Sequence, residues 1–137
     1  MQVSPYLAYN GQCEEAFKFY EKVLKGKITF MMKNSESPMA GQTPADQQNR
    51  VMHASLQIEG STIHGADAPP QYYTKPGGFS VSISLKDAKE GERIFNELSR
   101  GGEVKMPFQK TFWSPGFGMF IDRYSIPWMV NVEGQQG

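Results

Sequence analysis

This chain of 137 residues has little of the chemistry that announces a function. It holds a single cysteine, so neither an internal disulfide nor a four-thiolate zinc site can form, and a chain of this length buries a core without either. Surplus charge is missing as well. The 14 Lys and Arg stand against 14 Asp and Glu, which leaves no net positive field to hold a nucleic-acid backbone or an anionic bilayer. No apolar run reaches the roughly 18 residues needed to span a membrane, and no charged-then-apolar leader opens the chain. The expectation is one cytoplasmic domain, residues 1–137, with no nucleic-acid or membrane partner. What the chain does have is 14 Gly, 9 Pro and 12% aromatic residues, which suits a turn-rich sheet protein with packed rings.

Two segments carry helical periodicity. From Asn10 the apolar residues Cys13, Ala16, Phe17, Tyr20, Val23 and Leu24 recur at steps of three and four, and Gly26 follows as a stop. The second begins at Asp87, an N-cap with Glu90 in capping-box position, and runs through Ala88, Ile94, Phe95 and Leu98 to Gly101-Gly102. Tyr20 and Phe95, Val23 and Leu98, and Gly26 and Gly101 each stand 75 apart, the mark of two fused, similar halves. Alternation places strands at Val3–Tyr9, Lys27–Lys33, Val51–Glu59 and Ser61–Ala66, then at Phe79–Lys86, Glu103–Lys110, Gly116–Asp122 and Pro127–Glu133. Each half is then βαβββ, in an α+β fold, with modules of about 1–67 and 79–137 joined by loop 68–78. The stretches Asn34–Asn49 and Asp67–Gly78 are long connections of the kind that serve as lids, dimer contacts or mobile loops.

On Val51–Glu59 the even positions Met52, Ala54, Leu56 and Ile58 are apolar, whereas His53, Ser55, Gln57 and Glu59 are polar. A turn at Glu59-Gly60 sets Ile63 opposite Leu56 and His64 opposite Ser55, so His53 and His64 share one polar face. In the second half Phe79, Val81, Ile83 and Leu85 form an apolar side and Ser80, Ser82 and Ser84 a polar one. Two readings stay open for these polar faces: a wet sheet surface, or the lining of a cleft that takes a small molecule.

Metal binding needs three or four converging donors, and His53, His64, Asp67 and Glu133 are the nearest candidates; none lies in an HxH, HExxH or CxxC spacing. Neither histidine has a nucleophile or carboxylate partner at motif spacing for acid–base work. Cys13, on the buried helical stripe, reads as a packing residue. Phe112 and Trp113 lie at a strand end beside Ser114-Pro115-Gly116, where rings cover a cleft or an interface. Gly116-Phe117-Gly118 lacks the tail and setting of a phosphate loop.

Together, Ser4-Pro5-Tyr6-Leu7, the Ala16–Tyr20 helix, Met52-His53-Ala54, Ala66-Asp67, Thr111-Phe112-Trp113, Gly116-Phe117-Gly118, and Asp122-Arg123-Tyr124 through Pro127-Trp128-Met129-Val130-Asn131 carry a resemblance across nearly the whole chain. It resembles the PhnB-like proteins of the glyoxalase/bleomycin-resistance/dioxygenase, or vicinal oxygen chelate, superfamily. The resemblance implies two βαβββ modules forming curved mixed sheets around a cleft, and a homodimer. Superfamily enzymes bind a divalent metal through four cleft-facing side chains. Carried over, those positions fall at Pro5, Ser80, His64 and Met129, and Pro, Ser and Met are not ligands for such a metal.

The resemblance therefore implies a metal-free protein that binds a small-molecule ligand, with no cofactor. His53, His64, Ser80 and Ser82 would supply hydrogen bonds, Phe112 and Trp113 apolar walls, and Met129 would fill the former metal space. The alternative is a metal-dependent lyase, isomerase or dioxygenase with a rearranged set such as His53, His64 and Glu133. The family also carries a demethylubiquinone methyltransferase label, yet no Gly-rich strand–loop–helix of the kind that holds S-adenosylmethionine is present, nor an Arg or Lys cluster built to grip a phosphonate.

Overall fold

The computed structural model describes residues 1–134. The chain divides into two compact units, the first Met1–Thr74 and the second beginning at Lys75, and the division falls inside the loop expected to join the modules. The first unit runs β1 (Tyr6–Tyr9), α1 (Cys13–Leu24), β2 (Lys27–Lys33), β3 (Val51–Ile58) and β4 (Ser61–Asp67). The second runs β5 (Val81–Leu85), α2 (Ala88–Ser99), β6 (Glu103–Gln109), β7 (Gly116–Ile121) and β8 (Pro127–Val132). Each is βαβββ, with strand orders β1-β4-β3-β2 and β5-β8-β7-β6. In both, the first strand pairs in parallel with the last and the other pairs are antiparallel. Among the described residues no helix is long and apolar enough to cross a membrane.

Each helix lies on one sheet face because its apolar stripe has nowhere else to go. In the first unit Cys13, Ala16, Phe17, Tyr20 and Val23 are buried with Leu7, Tyr9, Ala54, Leu56 and Ile63. Gly65 makes this possible: a Cβ there would stand 2.7 Å from Phe17 Cζ, so only glycine lets the ring settle on the sheet. In the second unit Ile94, Phe95 and Leu98 of α2 meet a core of Val81, Phe120, Trp128, Val130 and Val132. Phe95 packs edge-on to Phe120 with centroids 5.2 Å apart.

Local chemistry sets the ends of these elements. Asp87 caps α2 by accepting from the backbone N–H groups of Lys89 and Glu90, while the Glu90 carboxylate turns to Arg93. Gln12 stands at the α1 N-cap without a side-chain bond, and its orphan donors are met from across the sheet. Asp67 accepts from Gly11 and Cys13 through Oδ1 and from Val51 through Oδ2. Lys25, not the expected Gly26, takes the left-handed conformation that ends α1. Gly26 serves instead for close approach, since a Cβ there would lie 2.7 Å from the Gln57 carbonyl oxygen.

Two strands start later than alternation predicts. β1 starts at Tyr6 rather than Val3, which is 93% exposed, and β5 starts at Val81, leaving Phe79 exposed instead of on the apolar side. Among the described residues neither Val3 nor Phe79 enters a strand ladder. The long 34–50 connection is self-bonded through three short 3₁₀ turns. Gln48 Nε2 donates to the carbonyls of Ala40 and Thr43, and Asn34 Nδ2 to that of Gln47.

Candidate functional site

The helices occupy one face of each sheet, so the other face is where side chains stand free of the core. In the first unit the antiparallel register is the one expected, with Leu56 opposite Ile63 and Ser55 opposite His64. The parallel ladder then sets Tyr6 beside His64. The imidazoles of His53 and His64 stack at 5.4 Å, and Tyr6 stacks on His64 at 6.2 Å. Phe30, brought round by an irregularity in β2, stands 5.7 Å from the His53 ring. Hydrogen-bonding contacts tie the group: Tyr6 Oη to His53 Nδ1 at 3.1 Å, and Ser55 Oγ to His53 Nε2 at 3.3 Å and to His64 Nδ1 at 2.9 Å. Ser55 is 8% exposed, whereas Tyr6 is 57% and Phe30 43% exposed. Burial first, and Cys13 second, hold the Tyr6 phenol above its ordinary range, which keeps it a hydrogen-bond donor.

In the second unit the corresponding face carries Ser82, Ser84, Met129, Asn131, Phe117 and Met119, with Met129 between Ser82 and Met119 in the ladder. Ser82 is exposed, and Ser80 stands just ahead of the strand, half-buried. Asn131 Oδ1 is buried with no hydrogen-bond partner among the described residues, and Phe117 and Ser84 are its ladder neighbours. Trp113 meets Phe117 at 5.3 Å and Phe112 at 4.8 Å, yet Phe112 is 86% exposed and Trp113 45%. The two rings project rather than line a wall within their own unit. A hollow of about 270 Å³ lies on the helix side, bounded by Ala88, Lys89, Glu92, Phe108, Gln109 and Pro115, and none of the expected site residues reaches it.

The 75-residue spacing needs a correction at the strands. It relates α1 to α2 residue for residue. In β1, however, Leu7 and Tyr9 are buried, whereas β5 buries Val81 and exposes Ser82 and Ser84. Tyr9 accepts from the Ala68 N–H as Leu85 does from that of Glu133, so β5 runs one residue further before its helix. By this register Tyr6 matches Ser82 and His64 matches Met129. Pro5 is therefore not the partner of Ser80, because strand parity puts them on opposite faces. The row Tyr6, His64, Ser55 is polar in one unit, and its counterpart Ser82, Met129, Met119 is mostly thioether in the other.

These rows do not fit a divalent metal. Both His53 nitrogens are hydrogen-bonded, Asp67 is turned inward to three backbone amides, and the second row offers one hydroxyl and two soft sulfurs. Among the described residues no three His, Cys, Asp or Glu side chains converge. Cys13 is fully buried, and burial first, then Asp67 and Glu14, pushes its thiol up, away from the thiolate a nucleophile needs.

A family model described as 3-demethylubiquinone-9 3-methyltransferase matches residues 1–131. Protein YjdN of Escherichia coli (strain K12) is 33% identical over 144 residues, covering 99% of this chain and 98% of its own. The structure of PA1353 from Pseudomonas aeruginosa superposes with a TM-score of 0.90 at 40% identity, covering 98% and 99% of the two chains. The PhnB protein from Bacillus cereus, which carries the same methyltransferase description, gives 0.80 at 21% identity over 96% and 99%. A glyoxylase/bleomycin resistance protein/dioxygenase domain from Frankia sp. EAN1pec, with a TM-score of 0.64, 14% identity and coverage of 98% and 93%, shares the fold. On this evidence of sequence and fold, the chain belongs to the PhnB-like family described as 3-demethylubiquinone-9 3-methyltransferase, built on the glyoxalase/bleomycin-resistance fold.

Proposed function

We propose that this protein binds a small organic molecule on its helix-free sheet faces without the help of a metal ion. The observation that carries the reading is the Tyr6–His53–Ser55–His64 group. A sheet surface that merely met water would not need a buried serine hydroxyl shared by two imidazoles, with aromatic faces exposed beside it. His53 and His64, with Ser80 and Ser82, supply hydrogen bonds; Phe112 and Trp113 supply apolar surface; Met129 stands where the superfamily enzymes' metal-binding carboxylate would otherwise be. The reading places the protein in the cytoplasm as a homodimer, with the exposed Val104, Met106 and Phe112 of the second unit as surface for a second copy.

Methyl transfer finds no support in the strand-to-helix turns. The first has its Gly11 and Cys13 amides bound by Asp67 and the second its Lys89 and Glu90 amides bound by Asp87, so neither offers that cluster of amides to a cofactor. The test is native mass spectrometry of the protein incubated with fractionated metabolite pools, run beside elemental analysis of protein purified without chelator. A mass adduct in wild type that is lost in His64→Ala, with no stoichiometric metal, is the expected result. A stoichiometric divalent ion that disappears in His64→Ala, or no adduct from any pool, overturns the proposal.

A further inference from the structure

The four side chains of the first unit form one unbranched line: Tyr6 Oη, His53 Nδ1 and Nε2, Ser55 Oγ, His64 Nδ1. His64 Nε2 ends it without a partner among the described residues. Proton counting constrains such a line severely. Three links need three protons, and each neutral ring and each hydroxyl brings one, so one of the four protons is left to point outward. Ser55 is 8% exposed and its hydroxyl meets only the two imidazoles, so it donates to one and accepts from the other; the alternative strands a buried O–H.

Two arrangements survive. In one, Tyr6 donates to His53 Nδ1, His53 donates from Nε2 to Ser55, Ser55 donates to His64 Nδ1, and His64 presents an outward Nε2–H. In the other every bond is reversed, His64 presents a bare Nε2 lone pair and Tyr6 an outward O–H. In both, the two histidines hold the same tautomer and the two ends of the line are of opposite kind, one donor and one acceptor. Tyr6 and His64 are ladder partners with rings stacked at 6.2 Å and 20°, so both ends lie within reach of one small molecule.

We propose that this line recognises a neutral planar group bearing an adjacent hydrogen-bond donor and acceptor, as in a lactam, a primary amide or an undissociated carboxyl. The inference rests on the binding reading above and names the chemistry of its ligand. The exposed faces of Tyr6 and Phe30 give the planar group a surface to lie on. The line also transmits choice: a ligand that fixes one end fixes both tautomers and therefore the other end, so mismatched ligands are rejected at two points at once.

The chain has only two histidines, which makes the test direct. Side-chain ¹⁵N spectra of the full chain, at a pH where both rings are neutral, should show His53 and His64 in the same tautomer; opposite tautomers overturn the proposal. Binding is then titrated with 2-pyridone, whose N–H and C=O are adjacent, and with N-methyl-2-pyridone, which lacks the donor. The expected result is at least about tenfold tighter binding of 2-pyridone, falling below about threefold in Ser55→Ala and in the more conservative surface variant Tyr6→Phe. Equal binding of the two probes by wild type refutes the donor–acceptor rule and leaves the binding reading standing. Failure of both probes, together with no adduct from metabolite pools, removes both.

Discussion

Asp67 offers the sharpest quantitative test of how the first unit is held together. Its carboxylate, 8% exposed, joins three segments at once: the β1–α1 turn through Gly11 at 2.8 Å, the first residue of α1 through Cys13 at 3.0 Å, and the start of β3 through Val51 at 2.8 Å. Asp67→Asn keeps the size and one acceptor. The amide oxygen can still take the Gly11 and Cys13 donors, but the amide nitrogen then faces the Val51 N–H, donor against donor in a buried place. Losing one charge-assisted bond and weakening two others costs about 3 kcal/mol. For a chain of this size that corresponds to a fall in Tm of roughly 10 °C. Urea titration followed by far-UV circular dichroism, with thermal melting in parallel, measures it. A loss under about 1 kcal/mol would show that the three amides do not depend on this carboxylate, and that the tie between turn, helix and strand is made elsewhere.

Three further outcomes follow from the same geometry. Gly65→Ala drives a methyl to 2.7 Å from Phe17 Cζ and 3.0 Å from the Leu7 carbonyl, and should cost about 1–3 kcal/mol in urea unfolding; an unchanged midpoint would mean that the helix does not rest on that glycine. Cys13 should react with a disulfide reagent near about pH 8 only as fast as the protein unfolds, since the thiol is buried and held protonated; rapid stoichiometric labelling of native protein contradicts this. Asn131→Val removes a buried carbonyl oxygen with no hydrogen-bond partner among the described residues and should raise stability by about 1 kcal/mol; a loss of stability would mean that the amide is already satisfied.

What could be read in the amino-acid order was whatever repeats or is counted from a turn. The 3.6-residue stripe from Cys13 to Leu24 needs no tertiary knowledge, nor does the capped one from Asp87 to Leu98, and the 75 residues between them marked the duplication. The tight turn at Glu59-Gly60 fixed β3 against β4, so the meeting of His64 with Ser55 followed by counting. Tyr6 escaped because β1 joins β4 in parallel through a long crossover, and no turn fixes such a register. The same blindness produced the pairing of Pro5 with Ser80: the repeat is constant through the helices and slips by one residue between β1 and β5. Phe30 was hidden by an irregularity that breaks simple alternation in β2. Asn131 carries no signal of its own in the amino-acid order, and only its buried oxygen, without a hydrogen-bond partner among the described residues, sets it apart.

The projecting pair Phe112 and Trp113 rests on a firm base. Ser114, wholly buried, accepts from the Gly116 N–H at 3.0 Å and lies 2.6 Å from the Val132 carbonyl, which pins the loop to β7 and β8, while Thr111 Oγ1 accepts from the Trp113 and Ser114 amides. The rings therefore stand outside the core on backbone that is already ordered. A molecule or a second subunit that settled against them would forfeit little conformational freedom, so association at this tip would be fast to organise and slow to lose. By the same logic a change at Ser114, which touches no visitor, would weaken capture by loosening the perch beneath it.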